Sequence, residues 1–114
     1  MKTSVTARHF DISPQVHDHA TNAMESLGKY FDRIIDARLI LTKEKSSWRA
    51  ETIIGVPGET LTAEGEDDLL FTAIDNATDR AERQIKKYKA KFDPQKDRRS
   101  IQQLNTGRPG TRRK

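Results

Sequence analysis

Two apolar rhythms alternate along this chain, and their order leaves few folds open. In "KTSVTARHF" (residues 2–10), Thr3, Val5 and Ala7 face one way while Lys2, Ser4, Thr6 and Arg8 face the other, the period of two of a strand. The rhythm then changes. Val16, Ala20, Ala23, Leu27 and Phe31 recur at intervals of three and four, the stripe of an amphipathic helix. Ser13 followed by Pro14 supplies its start, because a serine oxygen accepts from the free N–H groups of the first turn and proline there has no N–H to leave unpaired. Gly28 falls inside the stripe and predicts a weakening before "KYFDR".

The period of two then returns in three stretches. "DARLILTK" (36–43) puts Ala37, Leu39 and Leu41 on one side; "WRAETIIGV" (48–56) puts Trp48, Ala50, Thr52, Ile54 and Val56 together; "ETLTAEG" (59–65) pairs Leu61 with Ala63. Pro57-Gly58 marks a tight turn, proline fixing φ and glycine supplying a positive one. Connections this short predict antiparallel hairpins, whereas a helix between the first two strands predicts a parallel pair with a right-handed crossover. A last helix opens near Asp67 and Asp68 and buries Leu70, Ile74, Ala77, Ala81, Ile85 and Tyr88. The predicted fold is α+β with the order β-α-β-β-β-α. It is a four-stranded mixed sheet with two helices packed on one face, a topology similar to that of double-stranded RNA-binding domains.

This domain is expected to occupy residues 1–92. Residues 93–114, "DPQKDRRSIQQLNTGRPGTRRK", hold Ile101 and Leu104 as their only large apolar side chains and are broken by Pro94, Gly107, Pro109 and Gly110. Such a stretch buries too little to offset its ordering entropy, so a disordered basic tail is expected there.

The formal net charge of +4 conceals a division. Residues 80–114 carry 13 Lys and Arg against three acids, while residues 1–79 carry eight against 14. Segregation of this kind creates a local positive field, the footprint of a polyanion binder. It sharpens on the last helix. Asn76, Arg80, Arg83, Lys87 and Lys91 fall on one line, read as a ridge opposite the Ala77/Ala81/Tyr88 stripe. A solvated face usually mixes signs at i,i+4, yet no acid occurs between residues 83 and 92. Cations crowded this way are relieved by an anionic ligand. Aromatic residues make up only 6% of the chain and do not alternate with basic ones on a strand, so a stacking platform for single strands is not predicted. Phosphate contact and shape recognition fit better.

The residues that could signal catalysis do not combine. The chain has no cysteine, which removes disulfides, thiolate metal sites and thiol catalysis. His17 and His19 in "HDH" are two apart on a helix and do not converge, so no metal site is predicted. No nucleophile elbow or glycine-rich phosphate loop occurs, and "GVPG" reads as a hairpin turn. The expectation is a protein that is not an enzyme, with no cofactor and no small-molecule substrate. Without an apolar signal region at the N-terminus or a membrane-length apolar run, a soluble cytoplasmic chain with no membrane partner is expected.

The element order, together with "ISPQVHDHA", "LGKYFDRI", "AEGEDDLLFTAID" and "DRAERQIKKYKAK", resembles the hibernation-promoting factor and ribosome-associated inhibitor family, also known as sigma-factor modulation proteins. The resemblance covers about residues 2–91. It implies a monomer that docks on the small ribosomal subunit and its rRNA, in the channel for messenger and transfer RNA, and reversibly silences idle ribosomes. By the same resemblance the RNA-binding residues are Arg80, Arg83, Lys86, Lys87, Lys89 and Lys91 on the last helix. Lys29, Tyr30 and Arg33 at the end of the first helix join them, with Arg8 and His9 at the end of the first strand. Long members add a dimer-forming domain, for which the residues after the last helix are too few. Some short members end in an acidic tail, whereas the tail here carries seven basic residues against two acids. Promotion and prevention of ribosome pairing therefore both stay open. Two other readings also remain: a protein-binding regulator that meets an acidic partner surface, and a generic structured-RNA module.

Overall fold

A computed structural model of the chain describes residues 1–92. Strand β1 (Lys2–Arg8) leads through helix α1 (Pro14–Ser26) and a 3-10 turn (Leu27–Lys29) to β2 (Asp36–Lys43), β3 (Trp48–Val56), β4 (Glu59–Asp67) and helix α2 (Leu70–Phe92). The strands lie in the order β1-β2-β3-β4. β1 runs parallel to β2, with Val5 beside Leu39, and the two following pairings are antiparallel, with Leu41 opposite Ala50 and Ile54 opposite Leu61. The β-α-β-β-β-α mixed sheet is thus as expected. The basic tail expected at 93–114 lies outside the described residues.

Local chemistry sets the boundaries. Ser13 Oγ accepts from Val16 N at 3.2 Å, and Pro14 stands at the first helical position of α1. The regular helix stops at Ser26, ahead of Gly28, and the chain tightens into a 3-10 turn. Phe31, read as the last residue of the α1 stripe, instead enters the core from the loop that follows, where its ring meets Tyr88 edge-on at 5.5 Å. Gly58 closes the β3–β4 hairpin at φ 84, a conformation that L side chains rarely adopt. α2 begins at Leu70, later than Asp67 and Asp68. Asp67 belongs to β4, and its carboxylate accepts from Leu69 N at 2.9 Å, turning the chain into the helix.

Both helices cover one face of the sheet. Between them and the strands lie Met24, Leu27, Leu39, Leu41, Ile54, Ile74 and Ile85, all fully buried. Thr52 is the one buried polar side chain in this layer among the described residues, and its hydroxyl donates to the Ala63 carbonyl at 3.2 Å. Trp48 is only half-buried at the rim, packed edge-on against Phe10 and covered by Lys43. α1 and α2 run parallel: His19 meets Asp75, and Tyr30 meets Lys86 at the same sequence offset further along.

The seat of α2 on the sheet depends on Gly65. A β-carbon there would fall 2.5 Å from Ala77 N and 2.6 Å from Ala73 O, closer than atoms can approach. Glycine lets the helix backbone lie directly on β4. At the other end, the Tyr88 hydroxyl donates to the Pro57 carbonyl at 2.6 Å and pins the helix to the hairpin turn.

Candidate nucleic-acid interface

The expected site residues are delivered by three parts of the fold. Arg80, Arg83, Lys87 and Lys91 line the flank of α2 that borders β4. They do not stand opposite the buried stripe. At ~100° per residue they lie only about 100° round the helix from it. That flank overhangs the free edge of the sheet. A cleft of about 360 Å³ is lined there by Ala63, Arg80, Arg83, Gln84 and Lys87. A smaller one of about 120 Å³ continues it along Glu59, Leu61, Gln84, Lys87, Tyr88 and Lys91. Gln84, which the sequence did not single out, is shared by both. Arg80 is partly committed elsewhere: its guanidinium donates to the Glu64 backbone carbonyl at 2.5 Å. That bond covers one acceptor on the exposed edge of β4.

The second group gathers on the opposite flank of α2, against the end of α1. Lys29, Tyr30, Arg33 and Lys89 line a cleft of about 490 Å³ together with Gly28, Phe31 and Asp32. Lys86 joins them from above, its ammonium 5.0 Å from the centre of the Tyr30 ring. Glu82, absent from the expected set, organises this corner. It accepts from Lys86 Nζ at 2.8 Å one helical turn away. The Lys86 hydrogen bond holds the Glu82 carboxyl below its usual range, with Tyr30 and Arg83 acting in the same direction against partial desolvation. The same bond raises the Lys86 ammonium. Lys86 is therefore a paired cation, and the remaining positive side chains of this corner stand around the pair.

Arg8 and His9 are not brought to either group. Arg8 pairs in register with Thr42, far along β2 from Asp36, where the chain leaves the Lys29–Arg33 corner. Six strand residues separate these ends by roughly 20 Å. β1 is also the sheet edge farthest from the strands under α2. His9 adopts φ 70, the left-handed conformation in which histidine is among the less disfavoured residues, and so turns the chain out of β1.

The charge changes along the helical face. The N-terminal end of α2 presents exposed Leu69 and Phe71, with His19 Nε2 at 2.8 Å from Asp75. Its C-terminal half carries the cations, with Glu82 the one acid among described residues 80–92. Among the described residues no group of three His, Asp or Glu side chains is placed to hold a metal, and no helix is long and apolar enough to cross a membrane.

Residues 3–93 match the model of the family described as Sigma 54 modulation protein / S30EA ribosomal protein. The chain belongs to that family. Similar members of the Sigma 54 modulation / S30EA family include the ribosome hibernation promoting factor of Pseudomonas putida, 26% identical over 91 residues that span 80% of this chain and 89% of that one. The protein of that name from Klebsiella oxytoca is 31% identical over 92 residues, 81% of this chain and 97% of the other. Solved structures share the fold. The N-terminal domain of Protein Y from Thermus thermophilus aligns with a TM-score of 0.70 at 29% identity, covering 77% of this chain and 99% of that domain. A ribosomal subunit interface protein from Coxiella burnetii aligns at 0.74 and 26%, covering 79% and 99%.

Proposed function

We propose that this chain is a ribosome hibernation factor: it binds the small ribosomal subunit in the channel for messenger and transfer RNA and reversibly inhibits translation in idle or stressed cells. Relatives named ribosome hibernation promoting factor support the ribosome as partner. The observation that carries the RNA contact is the C-terminal half of α2. Its two flanks present Arg83, Lys87 and Lys91 on one side and Lys86 and Lys89 on the other, with Lys29 and Arg33 added by the end of α1. Surfaces of this kind displace counterions from a phosphate chain and need no reacting group, cofactor or small substrate. Inhibition then follows from occupancy, since a rigid domain in the channel excludes the RNAs that belong there. Its place of action is the cytoplasm, and it acts as a single copy per subunit.

Co-sedimentation with isolated small subunits over a salt series tests this reading. About six phosphate contacts give a log–log slope of about −4 to −5 in salt concentration. Binding that stays constant across the series, or survives nuclease treatment of the subunits, refutes it in favour of a protein partner.

A further inference from the structure

The cleft between the end of α1 and α2 has a property that a purely phosphate-directed surface does not need. One wall is an aromatic ring. Tyr30 is half-buried, and Lys86, itself held by Glu82, lies over the ring. A ring held in this way keeps its orientation without a ligand, so little ordering cost is left for binding. The cleft beside it, about 490 Å³, falls in the size range of small-molecule sites and is far larger than a phosphate requires. Cations from two elements line it, Lys29 from the 3-10 turn and Lys89 from α2.

We propose that this cleft holds one unpaired RNA nucleotide, its base stacked on Tyr30 and its flanking phosphates on Lys29 and Lys89. The inference rests on the reading of the chain as an RNA binder and deepens it: the β4-side flank takes backbone, and the α1-side cleft takes a base that has left its stack. Unpaired bases in RNA are recognised in this way, on an aromatic side chain with their edges open to polar groups. A single such ring is consistent with the chain's few aromatic residues, because a base held outside a helix needs one platform and no row of them.

The test uses the full chain and two RNA hairpins that differ by one bulged adenosine. The bulged hairpin binds about tenfold tighter than the paired one, the effect of one stacked base. Tyr30→Leu, which keeps apolar bulk without a π face, erases this preference, so that the two hairpins bind it equally. Tyr30→Phe retains the preference. Equal affinity of the wild-type chain for the two hairpins, or a preference that survives in Tyr30→Leu, overturns the proposal. So does displacement of the bulged hairpin by adenosine monophosphate at concentrations equal to the hairpin's own, since the ligand would then be a free nucleotide. The double variant Arg83→Glu/Lys87→Glu separates the two levels. If it loses both hairpins while wild type shows no bulge preference, the base site fails and the RNA-binding reading stands. If it binds ribosomal subunits and both hairpins as wild type does, the broader reading fails.

Discussion

Residue 65 of β4 and the backbone nitrogen of Ala77 on α2 are in such close contact that no β-carbon fits between them. Everything the C-terminal half of α2 displays is positioned through this contact, because the helix lies on the strand at backbone distance. Gly65→Ala forces the helix off the sheet, and overpacking of this kind costs about 1–3 kcal/mol. Thermal and urea denaturation should show that loss, with weakened RNA binding alongside. An unchanged midpoint would mean that the helix is seated by other contacts.

Tyr88→Phe removes the hydroxyl that reaches Pro57 O at 2.6 Å while keeping the ring against Phe31. Pro57 is exposed, so water can replace the lost donor and the cost stays at the low end for a hydrogen bond, about 0.5–1.5 kcal/mol. Urea denaturation measures it. A loss several times larger would show that the hydroxyl bond, rather than the ring, anchors the end of α2.

Arg83→Glu with Lys87→Glu acts on exposed side chains, so the fold should persist with an unchanged circular dichroism spectrum. Small-subunit binding at physiological salt should fall more than tenfold, because two phosphate contacts become repulsions. Arg80→Ala should behave differently. Its guanidinium is engaged with Glu64 O, so its removal lowers stability more, and RNA affinity less, than removal of Arg83. Equal effects of the two alanine substitutions in a filter-binding assay would contradict the assignment.

Glu82 gives the site a pH signature. Its carboxyl is held below the ordinary glutamate range, chiefly by its hydrogen bond from Lys86, so the folded state favours the ionised form. A depressed carboxyl contributes stability that is present above the unfolded pKa and lost as pH falls through the folded one. Wild type should therefore exceed Lys86→Met in stability at neutral pH, and the gap should close below about pH 4. Denaturation midpoints of both proteins across that range report it, and a gap independent of pH would assign the Lys86 effect to packing on Tyr30.

Much of this was readable from residue spacing. Val5, Leu39, Leu41 and Ile54 fall on the buried face that their alternation predicts, and Ile74, Ala77, Ala81, Ile85 and Tyr88 form the buried stripe of α2. What spacing could not give was where those cations stand relative to the sheet. A helical wheel orders residues round an axis but does not say where the sheet ends, and the edge at β4 turns an apparent outer ridge into one wall of a cleft. The separation of Arg8 from the other cations was hidden for a related reason. Distance across a sheet depends on strand order, and β1 comes to lie at the edge away from β4. Gly65 did carry a signal, since a glycine inside a strand marks a close backbone approach. Its partner on α2 is a matter of tertiary packing.

The parallel run of α1 and α2 has an electrostatic consequence. Each helix accumulates about half a negative elementary charge at its C-terminal end, and the cations meet it there: Lys29 ends the 3-10 turn that follows α1, and Lys89 and Lys91 stand in the last turn of α2. The backbone itself thus supplies counter-charge to a corner with few acids, which lets the free protein tolerate the crowding of cations until RNA arrives. Acidic substitutions there would oppose the dipoles as well as the ligand, so this corner admits basic residues far more readily than the rest of the surface does.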